Sequence, residues 1–452
     1  MVEYRQENVP EVDDLEALVE SGDKKALKNF LILLHPADMA MLFDVLDRDY
    51  WSRVIPLLDI SQISDLMEEL PDHLRDDLAE HLSPAQLTNA FEEMASDDAA
   101  DVIADLPDEL AKAVLGALPQ EDRLEVETLL KFPEDTAGGL MQVELVSVQE
   151  KATVDQAVEA IRANVEEVGD LHFVYVVDQS HKLTGWLSLD RLILARPDQP
   201  VADLVDRDFH AVTPEVDQEE VAQMFKRYNL ISLPVVNDLG ALIGRILHDD
   251  AVDVLEEEAD EDILRMAGAE EPELVYTNRI FKIASVRLPW ILANVAGGLL
   301  SGMLLWQFKV TFPDMLTLMV FIPVIAAMCG NVGTQSSTIV VRGFATGRID
   351  FNSLGRFFTK ELAIGTIMGI VCGLTVGVAA RLWQGHAILG LTVGIAMTAA
   401  IIISALMGVL VPFLFRYLRI DPAIAAGPLV TTSNDVIGIA IYYLVAMLLI
   451  AP

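Results

Sequence analysis

Asp435 closes the run Thr431-Thr432-Ser433-Asn434-Asp435, five oxygen-bearing side chains set inside the otherwise apolar stretch Asp421–Pro452. At about 1.5 Å rise per residue a helix of this length crosses roughly 30 Å of hydrocarbon. A carboxylate at the middle of such a span costs about 2.5–3.5 kcal/mol on insertion scales, so it must face water, a cation or a partner. A buried Asp satisfied by a neighbouring hydroxyl would also be tolerated. The cation reading is the stronger one, because Asp435 is the only acid of its span and brings Thr431 and Thr432 with it. A second polar run, Cys329-Gly-Asn-Val-Gly-Thr-Gln-Ser-Ser-Thr338, interrupts another apolar stretch. Asn331, Thr334, Gln335 and Thr338 could line a watery path, or could equally hydrogen-bond two helices across an interface.

The remaining acids lie elsewhere. Residues 286–452 carry five Asp/Glu and nine Lys/Arg, whereas residues 1–285 carry 64 and 22, a net charge of −42. Such an excess argues against nucleic acid, whose phosphates need Lys and Arg. It suits hard cations, which take carboxylate oxygens. The densest run is Asp249–Asp262, where Val252, Leu255 and Ala259 fall at helical spacing, predicting a helix through the run with one acidic side. It precedes the first apolar span and is placed to couple soluble and membrane parts. Asp97 and Asp101 stand four apart with Asp98 and Asp105 nearby, so on an outer helix face they repel by a few tenths of a kcal/mol. A divalent ion against that face would remove the repulsion.

Elements to carry these residues are legible in order. Leu34, Leu46, Leu58, Leu70, Leu82, Met94, Leu106, Leu118 and Leu130 recur every twelve residues, several followed by Pro and a helix start. Helices this short are unstable alone and must stack into a superhelix. From Met141 a strand–helix–strand–strand–helix order runs twice: strands are expected at 143–148, 172–178, 183–190, 211–213, 233–237 and 242–248. These paired units resemble the cystathionine-β-synthase-like (CBS) pair. CBS pairs often bind adenine nucleotides; no basic cluster here would grip a triphosphate, so nucleotide binding stays open.

Five spans are expected, at 286–308, 316–341, 361–381, 388–415 and 423–450. Arg279, Lys282, Arg287, Arg342, Arg348, Arg356, Lys360, Arg416 and Arg419 mark one side, against Lys309 and Arg381 on the other. By the positive-inside rule the N-terminal domains are cytoplasmic and the C-terminus lies outside. Cys329 and Cys372 fall in spans, consistent with a reducing cytoplasm, and Met1–Asp14 has no signal-peptide character.

The order of these pieces resembles the MgtE family of magnesium channels and transporters along essentially the whole chain. The matching motifs are Pro133-Glu-Asp-Thr-Ala-Gly-Gly-Leu-Met141, Gly330-Asn-Val-Gly-Thr-Gln-Ser336 and Asp421-Pro-Ala…Gly427-Pro-Leu-Val-Thr-Thr-Ser-Asn-Asp435. The resemblance implies an all-α helical-repeat domain (1–132), tandem α/β CBS domains (133–204 and 205–249), an acidic plug helix (250–283) and a five-helix membrane domain (284–452). It implies a homodimer in the cytoplasmic (inner) membrane conducting Mg²⁺ along its twofold axis, with Asp435 as the pore carboxylate for a largely hydrated ion. It further implies closure by Mg²⁺ bound among Asp217, Glu219, Asp250, Asp253, Glu258, Glu261, Asp262 and Asp421, with Asp97 and Asp101 as candidates. Asn229 stands where some members carry another acid, and Gly427 where at least one has Asn. The rival readings are a CBS-regulated membrane enzyme, for which no nucleophile or metal-ligand His set is visible, and a Mg²⁺ sensor without ion flux.

Overall fold

The computed structural model describes residues 12–168, 171–268, 280–311, 316–349 and 351–450. The chain divides into two units, Met1–Leu255 and Glu256–Pro452. The expected basic marker Arg279 lies outside the described residues, as do Met1–Glu11.

The first unit opens with α1 (Val12–Ser21), α2 (Lys24–Leu31), α3 (Pro36–Val45), α4 (Arg48–Val54), α5 (Ile60–Glu69), α6 (Asp72–Glu80), α7 (Pro84–Phe91), α8 (Ser96–Asp105), α9 (Asp108–Ala117) and α10 (Gln120–Leu129). The twelve-residue period is a helix plus its link: ten residues and two at α3, α5, α8 and α9, shorter helices with longer links at α6 and α7. Leu46, Leu70, Leu106 and Leu118 are the C-cap residues of α3, α5, α8 and α9, with ψ between 133° and 151°. Their backbone leaves the helix while their side chains stay buried in the core. Helix starts are fixed by capping boxes at Asp59–Gln62 and Ser83–Gln86, each satisfying orphan N–H groups reciprocally. Each helix packs on the one two along, α3 on α5, α5 on α7 and α7 on α9 in one row, α6 on α8 and α8 on α10 in the other.

Two small sheets follow. β1 (Ser147–Gln149) pairs parallel with β2 (Phe173–Val177), which pairs antiparallel with β3 (Leu183–Ser188); β4 (Ser232–Val236) pairs antiparallel with β5 (Leu242–Leu247). Helices α11 (Val154–Val168) and α12 (Leu189–Leu194) flank the first sheet and α13 (Gln218–Tyr228) the second. The expected strand at 143–148 starts only at Ser147, because the stretch before it serves α8: Val143 N donates to Ser96 Oγ (3.0 Å), and Ser96 Oγ to Glu144 (2.8 Å). The expected strand at 211–213 shrinks to one bridge, Val212 to Val235. Beyond it the carbonyls of Pro214 and Val216 accept from Gly138 and Ala137 instead. Consequently the 135–142 segment packs along the second CBS unit, and that unit shares one core with the helical repeat while the first CBS unit has its own.

Helix α14 (His248–Ala267) contains the whole acidic run 249–262 and continues beyond it, and its first turns belong to the first unit. Its buried residues are Ala251 and Val254, whereas Val252, expected on the apolar side, is exposed. The buried face is therefore set by Ala251 joining the shared core.

The second unit holds α15 (Ile280–Thr311), α16 (Leu316–Met319), α17 (Ile322–Ala345), α18 (Leu354–Gln384), α19 (Ala387–Tyr417), α20 (Pro422–Ile424) and α21 (Val430–Ile450). Among the described residues five stretches are long and apolar enough to cross a membrane: Ile283–Gln307, Thr317–Ala345, Leu354–Gln384, Ala387–Tyr417 and Gly427–Ile450. Helices α17, α19 and α21 pack on one another, α18 lies along α19, and α15 lies along α21. The α18–α19 contact is made by backbone: a Cβ on Gly377 would meet Gly390 O at 2.7 Å, and one on Gly369 would meet Thr398 O at 2.8 Å. Small residues are what permit such close approach between membrane helices.

The last span, expected to run unbroken from 423, is interrupted. A π turn covers Ala425–Leu429, and Gly427 has non-helical backbone angles (φ −93°, ψ −119°). Pro428 causes this: it offers no N–H, its ring crowds the preceding turn, and it pushes the residue before it out of the α region.

Candidate ion pathway and metal-binding acids

The described acids gather in two clusters, one in each unit. In the first, the α8 carboxylates expected on an outer face are turned inward. Asp97 is buried and Asp98 and Asp101 half-buried, because the 142–144 segment and the start of α14 cover α8. Gln142 Nε2 lies 3.5 Å from Asp97 Oδ2, and Ser96 N donates to Glu144 at 3.0 Å. Burial pushes the Asp97 carboxyl well above the usual carboxylate range, helped by the charges of Asp98, Asp250 and Glu144. Burial likewise raises Asp98 to about 6 against the opposing pull of Arg75, and Asp101 to about 7 with Glu134 and Asp98 adding. Asp250 rises to about 7, chiefly through burial; Leu247 N donates to it at 2.9 Å, and Asp249, Asp98 and Asp253 repel it. Glu68, which sequence reasoning missed, is raised to about 7 by burial and then by Asp98. These groups resist ionisation first because they are buried and then because their neighbours are also acids.

Beside the cluster lies a buried cation that the sequence did not flag. Arg245 on β5 is 2% exposed and donates from Nε and Nη2 to Gln142 Oε1 (3.1 and 2.7 Å) and from Nη2 to Val168 O (2.8 Å). Asp217 and Glu219 sit at the start of α13, where Asp217 caps the helix by accepting from Glu219 N at 2.9 Å. Asp253 is exposed on α14.

The second cluster comprises Glu258, Glu261 and Asp262 on α14 and Asp421 at the head of α20. Arg265, one turn beyond Glu261, bonds both Glu261 and Asp421. Asp421 Oδ1 accepts from Ala423 N at 2.8 Å. Burial raises Glu261 to about 7, Arg265 opposing it and Glu258, Asp421 and Asp262 adding to it. Asp262 rises to about 6 by burial and then the charges of Asp421 and Glu258, with Arg342 and Arg265 opposing.

Within the spans, α17 and α21 meet at their polar runs. Thr334 Oγ1 is 3.1 Å from Thr431 Oγ1, and a Cβ on Gly330 would lie 3.4 Å from Asp435 Oδ1 and 3.2 Å from Thr431 Cγ2. The bare backbone at Gly330 is therefore what leaves room for the Asp435 carboxylate. Asn331, Thr334, Gln335 and Thr338 share one face of α17, with Asn331 and Gln335 exposed. Thr432 turns the other way and donates to Asn294 on α15. Asn434 is fully buried against Gly333 with neither side-chain polar atom paired.

Among the described residues no group of three or more His, Cys, Asp or Glu side chains is arranged to hold an ion directly. A small ion stripped of water does not fit these clusters. An ion could reach acids set further apart only through its own waters, and Mg²⁺ is an ion that dehydrates reluctantly.

A helical repeat, a CBS pair and five apolar helices with a carboxylate in the last define a multi-pass membrane protein of the cation-handling class. The sequence pattern of the MgtE divalent cation transporter domain matches residues 322–445, that of the MgtE intracellular N domain residues 34–135, and that of the CBS domain residues 137–198 and 201–257. The magnesium transporter MgtE of Thermus thermophilus is 33% identical over 440 residues, covering 96% of this chain and 98% of its own. That of Bacillus subtilis is 30% identical over 429 residues, 95% of each. A solved structure of the cytosolic domain of the Mg²⁺ channel MgtE in complex with ATP covers 54% of this chain and all of its own at 32% identity, with a TM-score of 0.52. The soluble part of a magnesium transporter covers 55% of this chain and 98% of its own at 26% identity, with a TM-score of 0.50. The chain belongs to the MgtE family of divalent cation transporters. Its relatives are named as transporters, so the family's work is transport rather than catalysis.

Proposed function

We propose that this chain carries Mg²⁺ across the cytoplasmic membrane as a homodimer, along a path lined by Asp435, Thr431, Thr334, Asn331, Gln335 and Thr338, and that cytoplasmic Mg²⁺ closes it. The observation that carries the reading is the polar face of α17. Asn331 and Gln335 are exposed on a helix apolar enough to span a membrane, beside the Asp435 carboxylate. Lipid tails offer these amides no hydrogen bonds, so water or a second copy must cover them. Two copies about a twofold axis would set two Asp435 carboxylates face to face, repelling when empty and attracting a divalent cation. The amide and hydroxyl oxygens then hold the ion's waters rather than the ion itself.

Closure rests on the two acidic clusters. Empty, each pushes its elements apart; hydrated Mg²⁺ favours the compact arrangement of Asp97, Asp101, Asp250 and Asp253, and of Glu258, Glu261, Asp262 and Asp421. Asp217 and Glu219 add a further acidic turn on the second CBS unit. An ion that binds one state better shifts the equilibrium toward it. The domain bounds 1–132, 133–204, 205–249, 250–283 and 284–452 go with this scheme, as do cytosolic N-terminal domains and a C-terminus outside. ATP binding by the CBS pair follows the relative solved with ATP; a cleft of about 380 Å³ beside β1 and β2, lined by Lys151, Asp178 and Ser180 among others, offers it space.

The test is Mg²⁺ uptake into liposomes holding the purified protein, wild type beside Asp435→Ala. Uptake that collapses in a folded mutant supports the pathway. Absence of flux in wild type at any internal Mg²⁺ favours the sensor reading, and flux untouched by the mutation discards Asp435.

A further inference from the structure

We infer that Arg265 is a tethered stand-in for the regulatory cation: its guanidinium occupies the Glu261 and Asp421 oxygens that a divalent ion would use, and the two exclude one another. The inference rests on the reading of Glu258, Glu261, Asp262 and Asp421 as a Mg²⁺ site.

Arg265 bonds through Nη2 to Glu261 Oε1, one turn back on α14, and through Nη1 to Asp421 Oδ2, at the head of the last span. One planar group thus joins two elements distant in sequence, which the fork of an arginine does and the point charge of a lysine does not. The other Asp421 oxygen is held by Ala423 N–H at 2.8 Å. Both Asp421 oxygens are therefore engaged, and a cation or its water gains one only by displacing the guanidinium or sharing its oxygen. Charge gives the exchange its direction. Glu258, Glu261, Asp262 and Asp421 act on one another, and a single guanidinium bonds two of them. A dication brings more charge to the same place than the arginine does. The arginine, being tethered, needs no concentration. When the ion is scarce it offsets part of the repulsion between α14 and the head of the last span without cancelling it, and it sets how much ion is needed to replace it. All of this is regulation of the closing site and leaves the Asp435 path unchanged.

The test reads the site directly, without flux. Full-length protein stripped of divalent ions is titrated with Fe²⁺ as the probe, peroxide and ascorbate are added at each step, and backbone cleavage near 261 and near 421 is followed. In Arg265→Gln the Fe²⁺ that gives half-maximal cleavage should fall by about threefold or more, as expected for losing a partly buried ion pair that competes with the metal. Arg265→Lys keeps the charge without the fork and should fall between, which guards against a glutamine variant that misfolds. A midpoint unmoved or raised in both variants overturns the inference while leaving the metal site standing. Wild-type protein uncut at both positions overturns the metal site, and the inference with it. Cleavage lost in Glu261→Gln and Asp421→Asn would confirm that the cuts report this site.

Discussion

Thr334 and Thr431, on two different membrane helices, face each other with their hydroxyl oxygens 3.1 Å apart, and Asp435 lies one turn beyond Thr431. The pair joins α17 to α21 where the polar runs of both meet. Thr431 Oγ1 also donates to Gly427 O at 3.2 Å, which leaves its oxygen to accept from the Thr334 hydroxyl.

That pair should be measurable as a coupling. Thr334→Val and Thr431→Val are each expected to destabilise the membrane unit, and the double variant to cost less than the sum. The interaction energy should be about 1 kcal/mol, read from a double-mutant cycle of detergent unfolding. An additive pair would mean that water or another group satisfies both hydroxyls.

Two glycines on the same helix should behave differently. A Cβ at Gly333 would run into Asn434 Nδ2, so Gly333→Ala should destabilise by roughly 1–3 kcal/mol, seen as a lower unfolding midpoint. A Cβ at Gly330 finds contacts of 3.2 and 3.4 Å, close but tolerable. Gly330→Ala should therefore leave the unfolding midpoint near wild type and lower Mg²⁺ uptake, because the added methyl takes the space beside Asp435.

The inward acids predict an unusual pH dependence. Asp101 and Asp250 are raised to about 7, Asp98 to about 6, and Asp97 further by burial. Between the ordinary carboxylate range and about pH 7 the unfolded chain releases protons that the folded chain keeps, so stability is greatest at the acid end and is lost as pH rises. Without divalent ions, thermal unfolding of the first unit should come roughly 5 °C lower at about pH 8 than at about pH 5.5. Millimolar Mg²⁺ should restore most of that loss, and Asp97→Asn should flatten the slope. A midpoint that climbs over this window would show that the acids are ionised and paired in the folded chain.

Much of this architecture is written in local pattern. The twelve-residue leucines mark helix ends because the link residue that leaves the helix is also the one that plugs the core, as Leu70 and Leu106 do. Span number and approximate limits follow from apolar length alone. Harder to read were features set by tertiary partners. Asp97 and Asp98 carry the mark of a solvated helix face, and it takes the 142–144 segment and the start of α14, both distant in sequence, to turn them inward. Arg265 resembles any i, i+4 partner of Glu261 until Asp421 arrives from far along the chain. The break at Gly427–Pro428 did carry a local signal, a proline inside an apolar run, and could have been found from it. Thr432 could not be told from Thr431 by residue type; one position of helical rotation sends it to Asn294.

The two-row stacking of α3 to α10 also restricts how this domain can change in length. Adding or deleting a single repeat would reverse the direction in which the chain leaves the superhelix and swap the row to which every later helix belongs, carrying α8 away from the 142–144 segment. Two repeats together preserve both direction and row. Viable lengthening or shortening of this domain is therefore quantised in helix pairs, a parity rule imposed by stacking rather than by any one residue.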